Sequence, residues 1–174
     1  MGVDTFKLRP LTAERLAEVA SRWTAVAGQE EFEVELGTFF DWCGAHLEHK
    51  EGDGYALELY NATKNKTDAI LDVNQGRWGT MTKLLKMHLS PEFWPIDTVS
   101  HDVVATHAGA YATFIVQGLG NGVDEVKIFG RSDVSVTMLT LLQKTWPDYN
   151  TGSIATMQGR WLSITRDEEK GSEK

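Results

Sequence analysis

TKLLKMHLSPEFWPID, residues Thr82 to Asp97, decides the fold. Leu85, Met87 and Leu89 alternate with Leu84, Lys86 and His88, the period of a strand with one apolar and one mixed face. Pro91 has no N–H to give a ladder and ends the strand. Upstream, Tyr55, Leu57 and Leu59 alternate with Glu58 behind the glycine break Gly52 to Gly54, and Ala69 to Val73 is a second apolar run after the polar stretch Asn61 to Lys66. These two runs read as a hairpin, and Gln75 to Gly79 as the turn into the third strand. The centre of the chain is therefore an antiparallel meander of three strands.

Helical periods flank the meander. Phe6 to Arg9 reads as a first strand, and Pro10 with Thr12 announces a helix whose stripe is Leu16, Val19, Ala20, Trp23 and Val26, closed by Gly28. A second helix, about Glu33 to His49, carries Leu36, Phe39, Phe40, Cys43 and Leu47. Beyond the meander, Asp97 or Thr98 caps an Ala-rich helix that runs to about Val116 and is ended by Gly118, Gly120 and Gly122. Val123 to Phe129 is a short apolar strand, so strand, helix and strand make a right-handed parallel crossover. Ser132 or Asp133 starts a last helix with Val136, Leu139, Leu142 and Trp146, stopped by Pro147. Ser153 to Met157 and Arg160 to Thr165 form a closing hairpin. The expected class is α+β: a mixed sheet built from the meander, the crossover and the C-terminal hairpin.

Length fits one domain, residues 1–165, able to bury roughly 70% of its unfolded surface. Residues 166–174 read as a charged, solvated tail. Seventeen basic against 25 acidic residues give a net charge of −8, which disfavours nucleic acid and anionic membranes as partners. Lone Cys43 has no internal disulfide partner, and neither a signal-peptide core nor an 18-residue apolar run is present, so a soluble cytoplasmic setting is expected. His46 and His49 stand at i, i+3 without a cysteine or definite carboxylate to complete a site, so no metal is expected. Six tryptophans supply either core area or contact surface.

The order of elements resembles the GNAT N-acyltransferase superfamily over almost the whole chain, and KLRPLTAERLAEVA, Lys7 to Ala20, is similar to that family's first strand and helix. Leu89, Pro91, Glu92 and Phe93 resemble its Pro-Glu-aromatic turn, which continues there into a basic, glycine-rich loop that opens a helix and holds the pyrophosphate of acyl-coenzyme A. Trp94, Pro95, Ile96 and Asp97 stand in place of the glycines. A bulky indole, a proline without N–H and a carboxylate each weaken phosphate binding at a helix N-terminus, so the loop is degenerate. Gln117 to Gly122, QGLGNG, matches the letters of the family's phosphate motif but follows the Ala-rich helix and precedes a strand, so it reads as a helix cap and turn.

The resemblance implies transfer of an acyl group from acetyl-coenzyme A or another acyl-coenzyme A to an amine. It places the cofactor along Met87, Leu89, Phe93, Trp94, Ile96, Thr98 and Ser132, although helix capping explains Ser132 equally well. His88, on the central strand and with an ordinary pKa near neutrality, is the candidate base. Family members often take an acid from a tyrosine in the last helix; here Tyr149, beyond Pro147, is the candidate. The alternative is a catalytically silent GNAT-like protein that binds and modulates another protein, as small acidic proteins with eroded versions of this fold do among bacteriophage host-takeover factors. Trp78, Trp94 and Trp161 would then form an exposed apolar patch. Both readings allow a monomer or a homodimer.

Overall fold

The computed structural model describes residues 5–47, 54–94, 100–149 and 152–167. Among them β1 (Phe6–Pro10), β2 (Gly54–Asn61), β3 (Lys66–Gly76) and β4 (Met81–Leu89) form an antiparallel meander. β5 (Glu125–Phe129) lies parallel to β4, and β6 (Ser153–Gln158) and β7 (Trp161–Arg166) close the sheet as a hairpin, in the order β1-β2-β3-β4-β5-β7-β6. This is the mixed α+β sheet expected from the alternation of apolar residues. β7 runs through Arg166, whose guanidinium binds the Val123 and Leu119 carbonyls and ties the hairpin to the end of the crossover.

Thr12 starts α1 (Ala13–Ala27), its hydroxyl accepting the Arg15 N–H at 3.2 Å. Gly28, at φ +87°, turns the chain directly into α2 (Gln29–Phe32), a π turn (Glu33–Gly37) and α3 (Thr38–Ala45). The second helical stretch thus begins four residues earlier than its apolar stripe suggested and ends at Ala45, before His49. The π turn adds one residue to the repeat, which keeps Phe32, Leu36, Phe40 and Cys43 buried on one side.

Ser100 caps α4 (His101–Gly120), accepting the Val103 N–H at 3.3 Å; Asp97 and Thr98, the expected caps, lie outside the described residues. α4 runs past Val116 because Gly118 is needed inside it: a Cβ there would lie 2.8 Å from the Val126 side chain. Asn121 and Gly122 then close the turn, with the Val123 N–H on the Gly118 carbonyl, so QGLGNG is a helix end. Ser132 caps α5 (Asp133–Tyr149), which continues through Pro147. Pro147 does not stop α5, because a proline so near the C-terminus has a helical φ and removes only one i→i−4 bond.

Two apolar layers form on opposite faces of the sheet. α4 and α5 give Tyr111, Phe114, Ile115, Leu139 and Trp146 to one, against Leu59, Leu71, Leu84, Val126, Ile128, Leu162 and Ile164. α1 to α3 cover Ala56 and Ile70 on the other, with Val19, Trp23, Phe32, Leu36, Phe40 and Cys43. Glu58, fully buried at the edge of this second layer, accepts from Arg15 at 2.5 Å, Thr67 at 2.5 Å and Arg9 at 3.1 Å, joining β1 and α1 to the meander.

Candidate active site

The site originates in one irregularity of β4. Asp72 pairs with Lys86 but Val73 pairs with Leu84, so Leu85 is an extra residue and the strand bulges. A bulge reverses parity: Leu84 joins Met87 and Leu89 on the α4 side, while His88 faces α3 opposite Ile70. Strict alternation had placed Leu84 with Lys86 and His88; two successive leucines conceal the slip. Just beyond the bulge, the β4–β5 pairing ends at Leu84↔Ile128, and among the described residues Lys86 to Leu89 have no strand partner on that side.

The parted strands enclose a cavity of about 340 Å³. Met87, Leu89, Phe93, Trp94 and Ser132, all assigned to the cofactor from the sequence, line this one space, and Ile96 and Thr98 lie outside the described residues. The Trp94 indole is fixed there by its N–H, which donates to the Leu89 carbonyl at 3.2 Å. Phe93 is buried in the turn, with the Lys66 ammonium 5.5 Å above its ring.

α4 contributes residues that were not singled out for acyl transfer. Val103, His107 and Tyr111, at helical spacing, point one stripe of α4 into the cavity. Burial raises the pKa of the Tyr111 hydroxyl far above the usual phenol range, outweighing the lowering effect of Ser135 at the start of α5, so it stays protonated. His107 Nδ1 lies 2.9 Å from the Val103 carbonyl, which makes Nδ1–H the donor and leaves Nε2 as an acceptor; burial keeps this ring neutral. The two rings meet edge to face at 5.9 Å. Their i, i+4 spacing was the available signal, but on an Ala-rich helix it reads equally as core.

His88 does not line the cavity. It lies on the α3 face, stacked on Phe39 at 3.4 Å and 12°, and the stack continues through Trp42 to His46. Burial first, and then the charges of Lys86 and Arg131, push its pKa down to about 3. Tyr149 is exposed at the end of α5, beside a separate apolar groove of about 510 Å³ between α4 and α5. Neither catalytic candidate taken from the sequence therefore reaches the cleft that gathers the cofactor candidates. His46 accompanies Trp42 while His49 lies outside the described residues, and among the described residues no three His, Cys, Asp or Glu side chains converge. Of the tryptophans expected at the surface, Trp78 is 93% exposed, whereas Trp94 and Trp161 are half-buried.

A meander whose last strand bulges and then parts from a parallel neighbour, with the crossover helix beneath the gap, defines the GNAT fold, and this chain has it. No protein-family model and no curated protein matches the chain. Among solved structures it is similar to a GCN5-related N-acetyltransferase from Brucella melitensis, with a TM-score of 0.55 and 11% identity over 92% of this chain and 76% of that one. It is also similar to a GNAT-family protein from Chromobacterium violaceum, with a TM-score of 0.54 and 12% identity over 92% and 81% of the two chains. Likeness at such identities is likeness of fold. Among the described residues no helix is long and apolar enough to cross a membrane.

Proposed function

We propose that the protein is a GNAT-type N-acyltransferase that uses acetyl-coenzyme A or another acyl-coenzyme A as donor. The observation that carries this reading is the edge of β4 from Lys86 to Leu89, which has no strand partner on the β5 side among the described residues, facing a cavity that the buried Tyr111 also lines. The donor's pantetheine arm is an extended chain with two amides, and an open strand edge offers N–H and C=O groups at the spacing such a chain needs. Leu84, Met87 and Phe129 give the arm apolar walls. The residues that would meet the pyrophosphate, 95–99, lie outside the described ones.

The bound donor supplies a thioester carbonyl to the amine. The amide C–N bond forms as the C–S bond breaks, and Tyr111, held protonated by burial, gives its proton to the leaving sulfur. Of the two protons lost by the acceptor's ammonium, one restores Tyr111 and the other goes to solvent. Tyr111 thus takes the acid role that the family resemblance offers to Tyr149, which is exposed at the end of α5. His88, with a pKa of about 3, is a weak base, and packing against Phe39 is its assigned role here.

Isothermal titration with acetyl-coenzyme A, followed by turnover measurements on Tyr111→Phe, tests this reading. Donor binding in roughly the micromolar range is expected. The substitution should lower kcat by about 100-fold while leaving donor affinity unchanged. No heat and no thermal stabilisation at millimolar donor would reject it.

One observation favours the second reading, a silent protein that binds another protein. Trp78 is 93% exposed at the β3–β4 turn and holds φ +56°, a conformation that costs a bulky residue about 1 kcal/mol or more. An indole held so is suited to anchor a partner. Donor binding without turnover on any amine acceptor would support that reading.

A further inference from the structure

Lys86 and Arg131 line the cleft, and Asp72 stands across the bulge from Lys86, within electrostatic reach of both. Lys86 is the cross-strand neighbour of Asp72 at the bulge, and Arg131 follows β5, so each lip of the parted strands presents one cation. Among the described residues none of these three side chains has an ion pair within 4.0 Å, although the Asp72 carboxyl feels Arg131, Lys86 and His46 in that order. Asp72 and Lys86 are half-buried and Arg131 is exposed. In a chain of net charge −8, two cations held beside one carboxylate without closing on it form a local reversal of sign.

A ligand completes such an arrangement only if it brings both charges. A plain amine would meet Asp72 but also two cations, and a plain acid the reverse, and like-charge juxtaposition is strongly unfavourable at a partly desolvated site. A carboxylate suits the planar fork of Arg131, with Lys86 as a second, point-like donor. We propose that the acceptor taken at this mouth is a zwitterion of the α-amino acid type, its acid group held by Arg131 and Lys86 and its ammonium by Asp72. Asp72 and Lys86 share the sheet face that carries His88 and the Phe39–Trp42–His46 stack, which walls the acceptor on the side away from Tyr111. The acceptor amine and the acid that serves the leaving sulfur then approach the gap from opposite faces.

This inference rests on the acyltransferase reading for the use of the site, and its test is a binding measurement that stands apart from turnover. The full chain is titrated, with and without coenzyme A, with L-phenylalanine, 2-phenylethylamine and 3-phenylpropanoate. L-Leucine, 3-methylbutylamine and 4-methylpentanoate form a second set that guards against a side-chain mismatch. In at least one set the amino acid is expected to bind about tenfold more tightly than either truncated analogue. Arg131→Gln or Lys86→Met should remove that margin, weakening the amino acid and strengthening the weak amine binding, since one repelling cation is gone. Equal binding of amine and amino acid, or no binding in either set, overturns the proposal. Amino-acid binding with a coenzyme A titration that gives no heat would retain the zwitterion site and reject the acyltransferase reading.

Discussion

His88 shows how burial reassigns a residue. Its ring is 8% exposed, stacked on Phe39, and its pKa lies near 3 against about 6.5 in an unfolded chain. The folded state refuses a proton that the unfolded state accepts below pH 6.5, so the stability from keeping the ring neutral is complete above that pH and is lost as pH falls towards 3. Urea unfolding of the wild type should therefore lose about 2 kcal/mol more between pH 6 and pH 4.5 than that of His88→Phe, which keeps an aromatic ring on Phe39. The carboxyls of Asp68 and Asp72, raised by burial, act in the opposite direction but are common to both proteins. Parallel pH profiles would show that His88 titrates normally in the fold. Glu58 makes the complementary case: burial alone would raise its pKa, but hydrogen bonds from Arg15, Thr67 and Arg9 outweigh this and hold it below the usual range. Histidine and glutamate on a strand look alike in a sequence as half-exposed polar residues. Which partners reach them is decided by α1 and α3, far away in the chain.

At the level of elements, α4 is fixed to the meander by a close approach. The position that a Cβ on Gly109 would occupy falls within contact distance of the Phe6 ring, so α4 crosses β1 more closely than any larger residue permits. Alanine is favoured over glycine inside a helix by about 1 kcal/mol, whereas overpacking costs about 1–3 kcal/mol. Gly109→Ala should therefore destabilise the protein by about 1 kcal/mol, and adding Phe6→Leu should reverse its sign in a double-mutant cycle of unfolding free energies. Stabilisation by Gly109→Ala alone would mean a looser contact. The elements themselves were legible because their signals are local: alternation for β2 and β3, a stripe with a Thr12 cap for α1, a glycine run at the end of α4. The bulge was not, since Leu84 and Leu85 are interchangeable to a pattern that counts only apolar residues. Tyr111 and His107 were legible as a helical stripe but not as a site, because only the β4–α4–β5 topology places that stripe beneath the gap. Pro147 misled for the opposite reason: a strong local breaker does little where a helix is about to end.

Over the whole molecule, the sheet makes the two apolar layers interdependent. Ala69 and Leu71 enter the α4–α5 layer while Ile70, between them, enters the α1–α3 layer, and Leu57 and Leu59 alternate in the same way with Ala56 and Glu58. A strand cannot release one of its faces and hold the other in register, so both layers should unfold together. The tryptophans allow the test, because Trp23 is buried in one layer and Trp146 in the other. With 5-fluorotryptophan incorporated, the fluorine resonances of these two indoles should disappear over a single urea transition, the usual criterion of two-state behaviour. Ile70→Ala, which touches only the α1–α3 layer, should cost about 2–4 kcal/mol and shift both resonances equally. If Trp23 were lost at lower urea than Trp146, α1 to α3 would be a separately unfolding cover. The proposed acceptor side of the cleft, where Asp72 and Lys86 lie on the face covered by α3, would then be formed only in part of the folded population, and acceptor affinity would fall by that fraction.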